Sequence, residues 1–148
     1  MRRPGSKWAG LVAAVVVAVG LAVTTCVAAD PEAANPARLV LFEQVGYDSR
    51  SLSMEISEAD QLERFLTELA PATAASARAA VLDRDPSHRA FGFIRPGCRE
   101  NGAHLTISED RLEPVLTGGE NIACARAEYF LAVFTVPAES VPPNARVG

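Results

Sequence analysis

The amino-acid sequence predicts a small α+β domain: a mostly antiparallel sheet of five or six strands, covered by one long amphipathic helix and a weaker second helix, with one disulfide. Three observations support this prediction. Short β-rich runs are separated by Gly, Pro and Asn turn signals, one stretch repeats apolar residues with helical spacing, and two cysteines lie among the turns. A chain of 148 residues has room for one such domain.

The amino-terminal half of the domain combines two strands with the long helix. Residues 38–45 form a β-rich run, and residues 51–57 alternate between apolar and polar side chains. Ser57 is a favourable N-cap for a helix over residues 58–69, which Pro71 ends. The large apolar residues of this helix form one stripe that can cover a sheet, namely Leu62, Phe65, Leu66 and Leu69.

The carboxyl-terminal half is predicted to consist mostly of strands. A weaker helix is expected over residues 72–82. Pro114 lacks a backbone N–H, which favours an edge position for its strand. The domain is expected to span residues 38–137, followed by an extended Pro-rich tail over residues 138–148. Four β-rich runs follow the second helix, over residues 89–95, 104–107, 111–116 and 128–136.

The first 29 residues resemble an export signal. Residues 1–7 contain three basic side chains and no acidic one, and residues 8–23 carry no charge. Small residues at Val27 and Ala29 fit the spacing that a signal peptidase reads. We therefore expect a signal peptide that is cleaved before Asp30.

Two alternatives to this cleavage remain open. The sequence VTTC that ends at Cys26 resembles the lipobox of bacterial lipoproteins, which implies a signal over residues 1–25 and lipidation of the cysteine. An uncleaved anchor is the other alternative, because the uncharged run of residues 8–29 is long enough to span a bilayer. In each case residues 30–37 form a linker. The protein would contact a membrane only through its amino terminus, by a lipid or by an uncleaved anchor. The expected location is secreted or extracytoplasmic, at a bacterial cell envelope.

The mature part of the chain is predicted to be acidic. Without residues 1–29 the chain keeps 11 basic and 18 acidic residues, a net charge of −7. This charge disfavours nucleic acid as a partner, because phosphates attract a basic surface. All 11 basic residues are arginines, and Lys7 is the only lysine in the chain. A Schiff-base lysine, a phosphate-loop lysine and a Ser-Lys pair are therefore excluded from the mature part.

Cys98 and Cys124 are predicted to form a structural disulfide. They are the two cysteines that remain once Cys26 is removed or lipidated. An oxidising compartment favours their pairing, and neither cysteine has the Cys-x-x-Cys spacing of a metal site. The bond would join the end of the third strand to the start of the last long strand.

The sequence contains no recognisable catalytic motif. It has two histidines, His88 and His104, and no Gly-x-Ser-x-Gly or Ser-x-x-Lys pattern surrounds any serine. Asp83, Asp85 and His88 are close enough in sequence to converge on a metal or to act as acid and base, but a solvated loop is the commoner use of such residues. We therefore predict no metal and no cofactor.

Five residues are candidates for recognising a partner. Arginines concentrate between residues 78 and 99, and such a concentration suits an anionic ligand. Surface ion pairs with nearby acidic residues, Asp83, Asp85 and Glu100, are the alternative use. A predicted loop tip adds an aromatic side chain to these candidates. The five residues are Tyr47, Arg84, Arg89, Arg95 and Arg99.

The leading functional hypothesis is a non-enzymatic exported domain that binds a protein or a component of the cell envelope. It rests on the export signal, the disulfide and the lack of a catalytic motif. A small secreted hydrolase that uses Glu109, Asp110 and Glu113 is one alternative. The other is a secreted protease inhibitor, in which the disulfide-braced loop of Cys98, Arg99 and Glu100 enters a protease active site.

Overall fold

The computed structural model describes residues 35–119 and 122–148. The predicted export signal with Cys26, and residues 30–34 of the predicted linker, lie outside these described residues. The α+β class is confirmed, with two helices, an antiparallel four-stranded sheet, a second sheet of three strands and one disulfide. None of the helices that the structure describes is long and apolar enough to cross a membrane.

The fold consists of seven strands and two α-helices within the described residues. The helices are α1 (Ala59–Leu66) and α2 (Pro71–Leu82). The strands are β1 (Arg38–Gln44), β2 (Leu52–Glu55), β3 (His88–Gly97), β4 (Gly102–Ile107), β5 (Arg111–Thr117), β6 (Glu128–Pro137) and β7 (Arg146–Val147).

The four-stranded sheet has the order β1-β6-β3-β2 and is antiparallel throughout. The last long strand, β6, inserts between β1 and β3, where Thr135 lies opposite Arg38 and Glu128 lies opposite Gly97. Residues 130–136 of β6 are all buried. This confirms the expectation, drawn from its apolar residues on both faces, that β6 is central and covered on both sides.

The four-stranded sheet is the middle of three layers. Along a strand successive side chains point to opposite faces, so Ile94 of β3 faces the helices while Phe93 faces the three-stranded sheet. The helix-side core contains, among others, Ile56, Leu62, Phe65, Leu66, Val81, Leu131 and Val133. The core between the two sheets contains, among others, Phe91, Phe93, Leu105, Leu112, Phe134 and Val136.

The strands therefore divide between two sheets, whereas the sequence led us to expect a single sheet of five or six. β4, β5 and β7 form the separate three-stranded sheet, in that order. The alternation of β4 and β5 explains the division: Leu105 and Leu112 are fully buried on one face, while Thr106 and Glu113 are exposed on the other. A sheet with one apolar face needs an apolar cover, and the four-stranded sheet provides it.

Pro114 lies in β5, the middle strand of the three-stranded sheet, yet the edge of β5 is open at this position. β7 pairs with β5 only at Arg111 and Leu112. Gly148 donates its N–H to the Leu112 carbonyl from that side, at 3.1 Å. Backbone groups two residues apart point the same way, so the Pro114 nitrogen faces the open edge. The sheet loses no ladder hydrogen bond there, which is why it tolerates a proline.

Residues 138–148, expected to form an extended tail, are folded onto the domain. They contain a 3₁₀ turn (Ala138–Ser140) and the strand β7. Val141 is buried against the core between the sheets. The Arg146 N–H donates to the Asp110 carbonyl at 2.8 Å, which aligns β7 parallel to β5. Burial of Val141 and these backbone hydrogen bonds explain why the segment is not a free tail.

Helix α1 is shorter than the expected residues 58–69. The Ser57 hydroxyl does not cap the helix, because it accepts the Ala90 N–H at 2.9 Å and so continues the β2–β3 pairing. The helix therefore begins after Glu58, whose N–H donates to the Gln61 side chain. After α1 the chain tightens into i→i−3 hydrogen bonds, including Leu69 to Leu66. Pro71 opens α2, which requires an extended residue before it and prevents one continuous helix.

Candidate functional site

Three loops meet at one end of the two sheets, which we call the loop end. They are residues 45–51 between β1 and β2, residues 98–101 between β3 and β4, and the described residues of the segment 118–127 between β5 and β6. Two backbone hydrogen bonds hold their bases together, from Val45 to the Tyr129 carbonyl at 2.8 Å and from Asn101 to the Thr117 carbonyl at 3.0 Å. Loops held on a rigid sheet are a common location for binding residues.

The predicted disulfide between Cys98 and Cys124 is confirmed, and it joins two of these loops. The two Cα atoms lie 5.6 Å apart. Glu100 folds back so that its carboxylate accepts the Cys98 N–H. A Cβ atom at Gly119 would lie 2.7 Å from this carboxylate, so a larger residue there would displace the Glu100 side chain from its present position. A structural disulfide of this kind is typical of an oxidising, extracytoplasmic compartment.

Tyr47 ties the first of these loops, residues 45–51, to the segment that ends at β6. Its ring is 47% exposed, and its hydroxyl donates to Glu128 at 3.0 Å. The Arg126 guanidinium lies 4.6 Å from the ring centroid and pairs with Asp48 at 3.3 Å. The hydrogen bond to the Glu128 carboxylate, together with the negative charge of that group, raises the pKa of Tyr47 above its ordinary value. Arg126 therefore presents its charge beside an exposed aromatic face.

Arg99 is exposed at the loop end, next to the disulfide. The described residues offer it neither an ion pair nor a hydrogen bond, whereas Arg50 on the first loop pairs with Glu68 at 2.7 Å. Ile122, two residues before Cys124, is 40% exposed. The loop end thus combines an aromatic ring, an apolar side chain and an arginine that has no partner among residues 35–119 and 122–148.

Arg89 and Arg95 lie on the face of β3 that points toward the three-stranded sheet, where both serve the fold. Arg89 pairs with Glu55 through two hydrogen bonds of 2.6 and 2.8 Å. Arg95 donates to the Ser53 hydroxyl and to the Leu52 carbonyl. Burial lowers the pKa of Arg95 relative to a free arginine. The two guanidinium groups also cover the rings of Phe91 and Phe93, at 5.4 and 5.8 Å from their centroids.

Arg84 lies at the opposite end of the domain and is occupied by backbone carbonyls. Its guanidinium donates to Ser57 at 2.8 Å, to Val81 at 3.0 Å and to His88 at 3.2 Å. It thereby joins the end of α2 to the segment before α1 and to the start of β3. The five predicted recognition residues do not share one face: Tyr47 and Arg99 meet at the loop end, and the other three lie along or beyond β3.

We expect Glu55→Gln to reduce the dependence of stability on pH in the acid range. The Arg89 hydrogen bonds first, and then the Ser57 hydroxyl, hold the pKa of Glu55 below its ordinary value of 4.5. A carboxyl with a lowered folded-state pKa gives stability that is complete above the unfolded pKa and is lost as pH falls through the folded pKa. Urea unfolding between about pH 3 and about pH 7 measures this slope.

Glu109→Gln is the control for this experiment, because Glu109 is exposed and forms no ion pair among the described residues. The wild type and Glu109→Gln should lose stability with the same slope below pH 4.5, and Glu55→Gln should lose less. Equal slopes for all three proteins would contradict the assignment.

The residues Asp83, Asp85 and His88 do converge, around a pocket at the end opposite the loop end. They do not form a catalytic relay. The Ser87 hydroxyl donates to Asp85 at 2.7 Å, and Asp85 also accepts the Ser87 N–H at 2.8 Å. Both bonds lower the pKa of Asp85. The Ser87 hydroxyl and the Asp85 carboxylate both lie on the Nδ1 side of His88, at 3.3 and 3.9 Å, whereas a relay places the nucleophile and the carboxylate on opposite ring nitrogens. No group of three metal-ligating side chains occurs in the described part of the chain.

The carboxylates proposed for a hydrolase are exposed. Glu109 and Asp110 are exposed in the β4–β5 turn, and Glu113 is exposed on the outer face of β5, 4.0 Å from Arg111. None of the three lines the pocket beside His88 or the pocket beside Tyr47. These two pockets therefore give the hydrolase hypothesis no support.

Sequence reasoning missed Arg126 and Ile122 at the loop end. Both lie within two residues of Cys124, so proximity to a loop disulfide was the available signal. Comparison of the chain with protein-family models, with curated proteins and with solved structures found no match.

Proposed function

We propose that the chain encodes an exported domain, secreted or held at the cell envelope by its amino terminus, that binds a protein through the loop end. The observation that carries this proposal is the exposure of Tyr47, Arg99 and Ile122 on three loops that a disulfide and a stacked arginine hold together. Tyrosine and arginine dominate the binding energy of many protein interfaces.

The restraints on the loops support binding through a surface that is already arranged. The Cys98–Cys124 bond fixes the second loop to the third, and Tyr47 fixes the first loop to the third through Glu128 and Arg126. Ordering loops on association costs free energy, so loops that are restrained beforehand lose less on binding.

The charges at the loop end indicate the chemistry of the partner. Arg126 already forms an ion pair with Asp48, whereas Arg99 forms none within the described residues. The loop end has an unpaired positive charge at Arg99 and exposed apolar area at Tyr47 and Ile122. A partner that places a carboxylate beside Arg99 and an apolar group against the other two side chains complements both. The proposed partner is therefore a protein with an acidic residue next to an apolar one.

The direction of the chain supports display of the loop end away from a membrane. β1 begins at Arg38 beside the end of β6, so the amino-terminal linker joins the domain at the end opposite the loops. β6 has 10 residues, and a strand of this length spans roughly 30 Å. A lipid at Cys26 or an uncleaved anchor would leave the loop end facing outward.

Affinity capture from culture envelopes, followed by quantitative mass spectrometry, tests the proposal. The bait is oxidised protein expressed from the full-length chain with a carboxyl-terminal tag. We expect Tyr47→Ala combined with Arg99→Ala to reduce retention of the captured protein by about tenfold or more. Arg146→Ala is the matched control, because Arg146 is also exposed and also has no side-chain partner among the described residues. Equal retention by the double variant and by Arg146→Ala would overturn the proposal.

A protease inhibitor is the second candidate, favoured by one observation: Arg99 is exposed beside a disulfide. The chain bends at Cys98 and Arg99, and Glu100 turns back onto the Cys98 N–H, whereas an inhibitory loop presents an extended segment. Inhibition assays with trypsin and subtilisin separate the two candidates. Inhibition of trypsin that Arg99→Ala abolishes would support the inhibitor, and its absence would remove it.

A further inference from the structure

A pocket of about 400 Å³ lies at the end opposite the loops. It is located on the helix side of the four-stranded sheet, where the end of α2 lies near the first residue of β1 and Thr135 of β6. Its volume falls within the range of small-molecule sites. Nine residues line it: Arg38, Leu39, Val40, Ala80, Asp83, Arg84, Asp85, His88 and Thr135.

The floor of the pocket contains the hydroxyl of a buried residue, Thr135. Thr135 is 5% exposed, and it is the only buried polar residue of the described chain. Its hydroxyl forms no hydrogen bond with any described residue. No fully buried side-chain nitrogen or oxygen of the described residues lacks a hydrogen-bond partner, so this hydroxyl keeps contact with solvent and is available to a molecule in the pocket.

Arg38 stands beside this hydroxyl. It lies directly opposite Thr135 in the β1–β6 pair, so both side chains are on the same face of the sheet. Arg38 is exposed and has neither an ion pair nor a side-chain hydrogen bond within the described residues. A guanidinium next to a hydroxyl can bind a carboxylate, with the hydroxyl as an additional donor.

The rim formed by the end of α2 provides the opposite charge. Asp83, which follows α2, forms no ion pair or side-chain hydrogen bond in the described part of the chain. Asp85 is occupied by Ser87, and Arg84 is occupied by three backbone carbonyls. The groups left free around the pocket are therefore one cation, one hydroxyl and one carboxylate, since the His88 Nδ1 atom already contacts the Ser87 hydroxyl at 3.3 Å.

From this arrangement we infer that the pocket binds a small zwitterion, namely a free amino acid. Its carboxylate lies against Arg38 and Thr135, and its ammonium group lies toward Asp83. The carbon skeleton contacts the apolar lining side chains. This site is separate from the loop end and does not depend on the protein partner proposed there.

Isothermal titration calorimetry with the twenty L-amino acids tests the inference, using protein expressed from the full-length chain in a non-ionic detergent. At least one amino acid should bind saturably at concentrations up to about 10 mM. Two derivatives of the amino acid that binds serve as controls: its carboxamide lacks the carboxylate, and its N-acetyl form lacks the ammonium group. Each should bind about tenfold more weakly or worse. The inference fails when no amino acid binds, or when either derivative binds as tightly as the parent.

Two pairs of variants locate the binding. Thr135→Val preserves shape and removes the hydroxyl, and it should weaken binding about fivefold. Thr106→Val, on the exposed outer face of β4, is its control and should change nothing. Arg38→Gln should weaken binding about tenfold, with Arg146→Gln as its control. Binding that Thr135→Val and Arg38→Gln leave unchanged would place the amino acid elsewhere and overturn the assignment.

Discussion

Gly92→Ala is expected to destabilise the fold by about 2 kcal/mol, the range found for overpacked cores. Gly92 lies in the middle of β3 on the helix side, and the Phe65 ring of α1 stands over it. A Cβ atom at this position would lie 2.6 Å from the Phe65 Cζ atom. Phe65 is fully buried and cannot move aside. Urea unfolding followed by circular dichroism measures the loss.

A double-mutant cycle identifies the Phe65 ring as the cause. Phe65→Leu removes the ring edge that meets the new methyl group, so Gly92→Ala should cost less in this background, with a coupling of about 1 kcal/mol or more. Gly102→Ala is the control: its Cβ would meet only the Thr117 hydroxyl, at 3.2 Å. We expect that variant to stay within about 1 kcal/mol of the wild type. An equal cost of Gly92→Ala in both backgrounds would contradict this account.

The contact between Phe65 and Gly92 shows what hydrophobic periodicity in the sequence can predict and what it cannot. The stripe of α1 was predicted, and Leu62, Phe65 and Leu66 are indeed buried. The glycine beneath the ring was not predicted, because helical spacing indicates which face is covered and not which strand covers it. That information depends on the order of strands, and β6 reaches its place between β1 and β3 only by pairing across most of the chain.

The roles of the arginines could not be predicted from the sequence either. Their concentration in sequence indicated a common anionic ligand, yet strand alternation and a bend send them in different directions. Arg89 and Arg95 are six residues apart and share a face of β3, where the register with β2 supplies Glu55 and Ser53 as partners. Arg99 lies beyond the strand and keeps its exposure. The β2–β3 register gives Arg89 and Arg95 their partners, whereas Arg99 lies beyond the paired residues. This register cannot be predicted from the spacing of residues in the sequence.

The full set of pocket residues could not be predicted from the sequence for a related reason. Asp83, Asp85 and His88 were identified because they are neighbours in sequence. Arg38 and Thr135 meet them only because β6 pairs with β1, although nearly a hundred positions separate the two residues along the chain. Polar residues at strand ends are common, so nothing local marks these two.

Removal of the disulfide is the second large effect that we expect. Cys98→Ala combined with Cys124→Ala should destabilise the domain by about 3.5 kcal/mol, because the bond closes a loop with a sequence separation of 26 residues. The helix-side core and the core between the sheets do not involve either cysteine. The variant should therefore keep its fold, with a lower urea midpoint and a slope that is equal or steeper, because the cross-link no longer holds the unfolded chain compact.

Reduction provides the internal control for this prediction. Dithiothreitol should lower the stability of the wild type to that of the double variant and should leave the double variant unchanged. The loops should respond more than the strands, since Arg99 and Arg126 lose the bond that fixes their separation. Hydrogen exchange should thus accelerate in residues 98–101 and 122–127 and remain slow in β3 and β6. A stability loss below about 1 kcal/mol, or exchange that accelerates equally in β6, would show that the sheets and not the disulfide hold the loop end together.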